Sequence, residues 1–135
     1  CVIAPLGLPG NRWIQNNDNR RDWRLWNDKI HWQQSAAFWR ELAASLKDHP
    51  AVCAYNILNE PTPEMETGLV EHGDVSRYEA WYRKHRGTSH DLPAFYATVI
   101  AAIRQVDPQT PIMLDAGWFA QPLSLIHISE PTRPY

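Results

Sequence analysis

Apolar residues in this chain fall into three short runs and two helical stripes, and the rest is polar. The first run covers residues 1–6, with Val2, Ile3 and Leu6 uncharged and predicted to form a short buried strand. Gly7-Leu8-Pro9-Gly10 ends it in a turn. Residues 11–27 are rich in Trp, Asn and Arg without sustained periodicity and predict an ordered loop. From Lys29 to Lys47 the stripe Trp32, Ala36, Trp39, Ala43, Leu46, widened by Phe38 and Leu42, predicts an amphipathic helix. Asp48-His49-Pro50 stops it, because proline disfavours helical geometry in the residue before it. The run Ala51–Leu58 is nearly continuous, as in a strand covered on both faces of a parallel sheet. A long polar stretch, residues 62–90, holds Tyr78, Trp81 and Tyr82 and predicts a short helix near residues 78–86. Asp91 is a predicted N-cap for the second stripe, Leu92, Phe95, Tyr96, Val99, Ile100, Ile103 and Val106, with Pro93 in its first turn. Asp107-Pro108 ends that helix, and Pro111–Asp115 is the third predicted buried strand.

Strands alternating with helices imply an α/β fold with a parallel sheet built by crossovers. No glycine-rich phosphate loop follows any strand, which disfavours a nucleotide-binding sheet. A closed (β/α)₈ barrel needs eight such units and roughly 250 residues. At 135 residues, this chain is expected to be a slice of one.

Seven tryptophans and five tyrosines exceed what a core of this size requires, so some can line a groove and stack on flat ligands such as sugar rings. The formal charge of −2 has no block of one sign, so neither nucleic acid nor an anionic membrane is expected as partner. No apolar run approaches a membrane span. Cys1 and Cys53 make no disulfide framework, and Cys53, inside an apolar run, is expected to be a small buried hydrophobe. Cys1 stands where a chain begins with Met, so the natural N-terminus is expected to be missing, which leaves signal peptide and compartment open. Leu123–Arg133 resembles the translation of a sequencing-library transposon adaptor. Residues 123–135 are therefore expected to be a non-native tail, with Glu130 a decoy, and residues 1–122 the meaningful segment.

The candidate chemistry sits at the end of the second strand, in Asn59-Glu60-Pro61. In a barrel with parallel strands the C-terminal strand ends carry the active face, so Glu60 is a candidate acid, base or nucleophile. A lone Glu there could simply be solvated; the amide before it and the proline after it favour catalysis.

The stretch from Phe38-Trp39 through Leu46-Lys47-Asp48-His49-Pro50 to Tyr55-Asn56-Ile57-Leu58-Asn59-Glu60-Pro61 resembles glycoside hydrolase family 5. So does the following unit, from Phe95 to Val106 and on to Pro111-Ile112-Met113. The resemblance covers residues 1–122 and implies the third to fifth strands of a (β/α)₈ TIM barrel in a retaining, cellulase-like hydrolase. It implies Glu60 as general acid/base and Asn59 as hydrogen-bond partner of the sugar 2-hydroxyl. A poor leaving group needs a proton as its bond breaks, and a retaining mechanism needs a second carboxylate about 5–5.5 Å away. In the family that nucleophile lies on the seventh strand, beyond this chain, so the segment alone is expected to be inactive. Many members also carry a His ahead of Pro-Gly near the end of the third strand; here Ala4-Pro5-Leu6-Gly7-Leu8-Pro9-Gly10 has none.

Trp13 and Trp118, in the loops after the first and third strands, could each form a sugar platform or pack on the barrel rim. Asn16 and Asn17 could bond sugar hydroxyls, and are equally ordinary loop residues. Trp32 and Trp39 belong to the core stripe. Asp115 ends a strand on the right side of a barrel, but its place in the strand order suits a loop or helix-start residue better than the nucleophile. Glu64, Glu66 and Glu71 are expected to be solvated, with Glu64 near enough in sequence to influence Glu60. His31, His49, His72, His85 and His90 show no ligand spacing, so neither metal nor cofactor is expected. The expected partner is a carbohydrate: a β-linked glucan, mannan or smaller β-glycoside. A non-catalytic sugar-binding barrel, or a β-glucosidase- or β-galactosidase-like relative, is the alternative.

Overall fold

A computed structural model describes residues 1–69 and 75–117. The expectations for Glu71, His72, Trp118 and the tail 123–135 lie outside the described residues. Strands β1 (Val2–Ile3), β2 (Ala54–Asn56) and β3 (Ile112–Met113) form a parallel sheet in that order. Val2 and Ile3 stand opposite Ala54 and Tyr55, and Tyr55 and Asn56 opposite Ile112 and Met113. Between them lie α1 (Arg24–Asn27), α2 (Ile30–Leu46), α3 (Val75–His85) and α4 (Leu92–Arg104). This is a partial (β/α)₈ barrel.

The two long helices form where their stripes predicted them. The Ile30 N–H that opens α2 donates to Asp28 Oδ1 at 2.9 Å. Asp91 caps α4 by accepting from the Ala94 N–H at 3.1 Å, with proline in the first turn. The two helices pack against each other and share a core with β2: Trp39, Ala43, Tyr55, Ile57, Phe95, Val99 and Ile103 are all shut off from solvent. Burying one such aromatic ring removes ~150–250 Å² from water, about 4–6 kcal/mol before ordering costs. Trp39 also satisfies its indole N–H, donating to the Ile57 carbonyl at 3.0 Å. Tyr55 Oη donates to Asp107 Oδ2 at 2.8 Å, tying β2 to the turn after α4. Burial pushes the Asp107 carboxyl up. Hydrogen bonds from Thr110, Tyr55 and Gln109 outweigh that and hold it down at about 2.

Several expectations are corrected. Strands β1 and β3 are only two residues each and lie at the sheet edges, so Val2 (43 % exposed), Leu6 (59 %) and Met113 (48 %) are open to solvent rather than buried. Phe38 is also exposed, although it widens the α2 stripe. Cys53 is exposed, not core: it precedes the regular part of β2, and its Sγ donates to the Cys1 carbonyl at 3.1 Å. The loop 11–27 contains a short helix, α1. Its Leu25 and Trp26 enter the main core, where Trp26 and Trp32 both meet Phe95 edge-on. Aperiodic flanks hid this element, since four residues are too few to display a stripe.

Glu64 is fully buried, not solvated. It sits by Tyr78, whose hydroxyl is pushed well above its usual range by burial first and by the Glu64 charge second. Glu66 is half-buried and faces His90, Oε2 to Nε2 at 3.3 Å. Leu69, Tyr78 and Trp81 make a second, smaller core for this connection.

Candidate active site

The end of β2 is where the chain departs from regular geometry. Ile57 and Leu58 continue inward and are buried, Asn59 is half-buried, and Glu60 is exposed. Glu60 has φ +46°, left-handed backbone that a residue with a Cβ adopts only at a cost of about 1–3 kcal/mol. Asp115, just beyond β3, holds it there. Its Oδ2 accepts from the Glu60 N–H at 3.0 Å and its Oδ1 from Asn56 Nδ2 at 3.1 Å. The Asp115 carbonyl in turn accepts from Tyr96 Oη at 2.6 Å. Asp115 thus clamps the turn through its backbone and leaves the Glu60 side chain outside. Its sequence reading as a loop residue agrees with this position, although sequence carried no sign of the clamp, which spans neighbouring strand ends.

Glu60 and Asn59 open on a groove of about 400 Å³ shared with Leu6, Trp13, Gln15 and Asn16. Four of the residues singled out from sequence therefore meet around one hollow: Trp13, Asn16, Asn59 and Glu60. Leu6 occupies the segment where many relatives carry a His. Asn17 does local work, donating from Nδ2 to the Arg20 carbonyl at 2.8 Å. Trp32 and Trp39 are core.

The loop that brings Trp13 to the groove is built on Pro9-Gly10. Gly10 has φ +78°, and a Cβ there would lie 2.7 Å from the His31 ring and 2.8 Å from the Leu25 backbone nitrogen. Only glycine lets the loop fold this closely over the start of α1. Sequence reasoning missed Arg21, whose guanidinium lies 4.5 Å from the Trp13 ring centre and 4.9 Å from that of Trp23. The run of alternating Trp and Arg was visible, but not which ring the cation would choose.

The family model for cellulases of glycosyl hydrolase family 5 matches residues 9–133. The chain belongs to glycosyl hydrolase family 5. A β-xylosidase from Phanerodontia chrysosporium is 31% identical over 101 residues, which cover 75% of this chain and 16% of that protein. A crystal structure of a glycoside hydrolase shares the fold, with TM-score 0.62 and 20% identity over 94% of this chain and 34% of the other. Endo-glycoceramidase II from Rhodococcus sp., in complex with a cellobiose-like isofagomine, gives TM-score 0.51 and 25% identity over 82% of this chain and 24% of its own. The chain spans 16% to 34% of the lengths of these relatives. Within this family-5 segment, the groove carries one exposed carboxylate with an amide beside it and an indole facing it.

Proposed function

We propose that the complete protein to which this segment belongs is a retaining O-glycoside hydrolase acting on a β-linked glucan, mannan or smaller β-glycoside. Glu60 is its general acid/base and Asn59 orients the sugar 2-hydroxyl. The observation that carries this reading is the position of Glu60: exposed, at the C-terminal end of the middle strand, in left-handed backbone clamped by Asp115. Family membership supports it, as does the β-glycosidic activity in the name of the Phanerodontia relative.

In this mechanism Glu60 gives its proton to the glycosidic oxygen as the bond to the leaving group breaks, while a second carboxylate attacks the anomeric carbon. Glu60 then takes a proton from the water that releases the glycosyl-enzyme. Asn59 adds a hydrogen bond without a competing charge. Trp13 offers an indole face to a sugar ring and Asn16 a hydrogen bond at the groove edge. The nucleophile is contributed by another part of the barrel, so the segment alone is inactive.

Glu60→Gln in the complete protein tests this. General acid catalysis contributes about 10²–10⁴-fold, so turnover of unactivated oligosaccharides falls by that order while activated aryl glycosides lose far less. Equal retention of both substrates by the variant overturns the assignment. One observation favours a second reading, a non-catalytic sugar-binding barrel: Leu6 replaces the His of many relatives. Sugar binding that is unchanged by Glu60→Gln, with no hydrolysis of any β-glycoside by the unmodified protein, is the outcome that selects it.

A further inference from the structure

The arginines of this segment divide into two groups. Arg24 donates from Nε and Nη2 to both Asp22 oxygens, at 3.0 and 2.8 Å. Arg83 pairs with Glu79 one helical turn away, and Arg104 donates to the carbonyls of Asp107 and Thr110 at 2.9 and 2.8 Å. Arg21 differs. Its guanidinium is held between the Trp13 and Trp23 rings, and among the described residues its one hydrogen-bond acceptor is the Met65 thioether at 3.9 Å. A thioether is a weak acceptor, so most of the five donors of the fork are left for something else. The one carboxylate adjacent in sequence, Asp22, is already taken by Arg24. Partial burial lowers the affinity of Arg21 for its proton, yet guanidinium remains charged at any ordinary pH.

Arg21 and Arg12 line a narrow hollow together with Trp13, Trp23, Thr62 and Glu60, the proposed acid. Two guanidinium groups beside one groove, one of them immobilised by two indoles, form a site for a planar anion. Two stacked faces fix the plane of the Arg21 fork, so little side-chain entropy remains to be lost when both of its edges meet a carboxylate. We infer that Arg21, clamped by Trp13 and Trp23, recognises the carboxylate of an acidic sugar residue, a uronic acid, in the substrate. This inference rests on the hydrolase reading above and narrows its substrate class.

Two assays on the complete protein test it. The first compares kcat/KM at low salt for a neutral β-linked gluco-oligosaccharide and for the same oligosaccharide oxidised to the carboxylate at one C6. A charge-assisted pair of about 1.5–3 kcal/mol corresponds to a preference of at least about tenfold for the acidic substrate. That ratio falls to near one in Arg21→Gln. In Arg21→Lys, which keeps charge and bulk but not the fork, it drops at least about threefold. A ratio near one in the unmodified protein, or one unchanged by either substitution, overturns the proposal. The second assay needs no turnover: D-glucuronate, D-glucose and sodium sulfate are titrated while tryptophan fluorescence is read, because Trp13 and Trp23 flank the site. Glucuronate alone is expected to give a saturable change, abolished in Arg21→Gln. An equal response to sulfate overturns the sugar assignment. If neither oligosaccharide is cleaved, the hydrolase reading fails, while the glucuronate titration still decides the role of Arg21.

Discussion

The connection from β1 to α2 and the connection from β2 to α4 are both long, polar and aromatic, and they end in opposite ways. The second folds back on itself. Its helix α3 brings Tyr78 and Trp81 onto Leu69, the Trp81 indole donates to Thr67 Oγ1 at 2.6 Å, and the Glu64 carboxylate is sealed beneath. The first has only the four-residue α1, whose apolar side chains Leu25 and Trp26 are drawn into the main core. Trp13 and Trp23 are left at the rim with Arg21 between them. Aromatic residues serve stability where a helix gives them a common face and a floor. Where the chain lacks that helix, they remain available to a ligand.

Breaking the second connection gives the largest effect on stability. Trp81→Ala in the complete protein removes a packed indole and is expected to cost about 3–5 kcal/mol in urea unfolding. Trp13→Ala should cost less than about 1 kcal/mol in the same experiment, since half-exposed surface positions contribute little. Equal losses would erase the distinction between the two connections.

Gly117→Ala reaches the same buried cluster from β3's side. A Cβ there would stand 2.6 Å from Tyr78 Oη and 3.3 Å from Glu64 Oε2. Overpacking of this kind costs about 1–3 kcal/mol, read as a lower urea midpoint.

In the first connection the effect moves from stability to affinity. If Trp13 stacks on a sugar, Trp13→Ala is expected to raise KM by about 2–10-fold, the equivalent of about 0.5–1.5 kcal/mol of aromatic contact. A fall in kcat at constant KM would instead make Trp13 part of the proton-transfer machinery.

The smallest effect is a pH dependence confined to the second connection. The His85 ring stacks on Trp81 at 4.8 Å, and burial first, then His90 and Lys84, lower its proton affinity. A histidine whose folded pKa is depressed binds fewer protons than the unfolded chain. Its stabilising effect is complete above the ordinary value of about 6.5 and is lost as pH falls through the folded value. Thermal melting between pH 7.5 and 5 should therefore show a modest decline, reduced in His85→Phe, which keeps a flat ring on Trp81. No difference between the two profiles would remove His85 as its source.

The order of elements, both long helices with their stops, and Asn59-Glu60 at a strand end were legible in the chain. Each depends on short-range physics: stripes at helical spacing, a capping Asp91, prolines that refuse to continue a helix, and an unbroken apolar run. Tertiary structure alone decided the burial of Glu64, the exposure of Cys53 and Leu6, and the clamp of Asp115 on the Glu60 backbone. It also decided which rings hold Arg21. Each of these depends on partners far along the chain or on whether a sheet edge is covered, and a side chain's own neighbours in sequence carry no record of either.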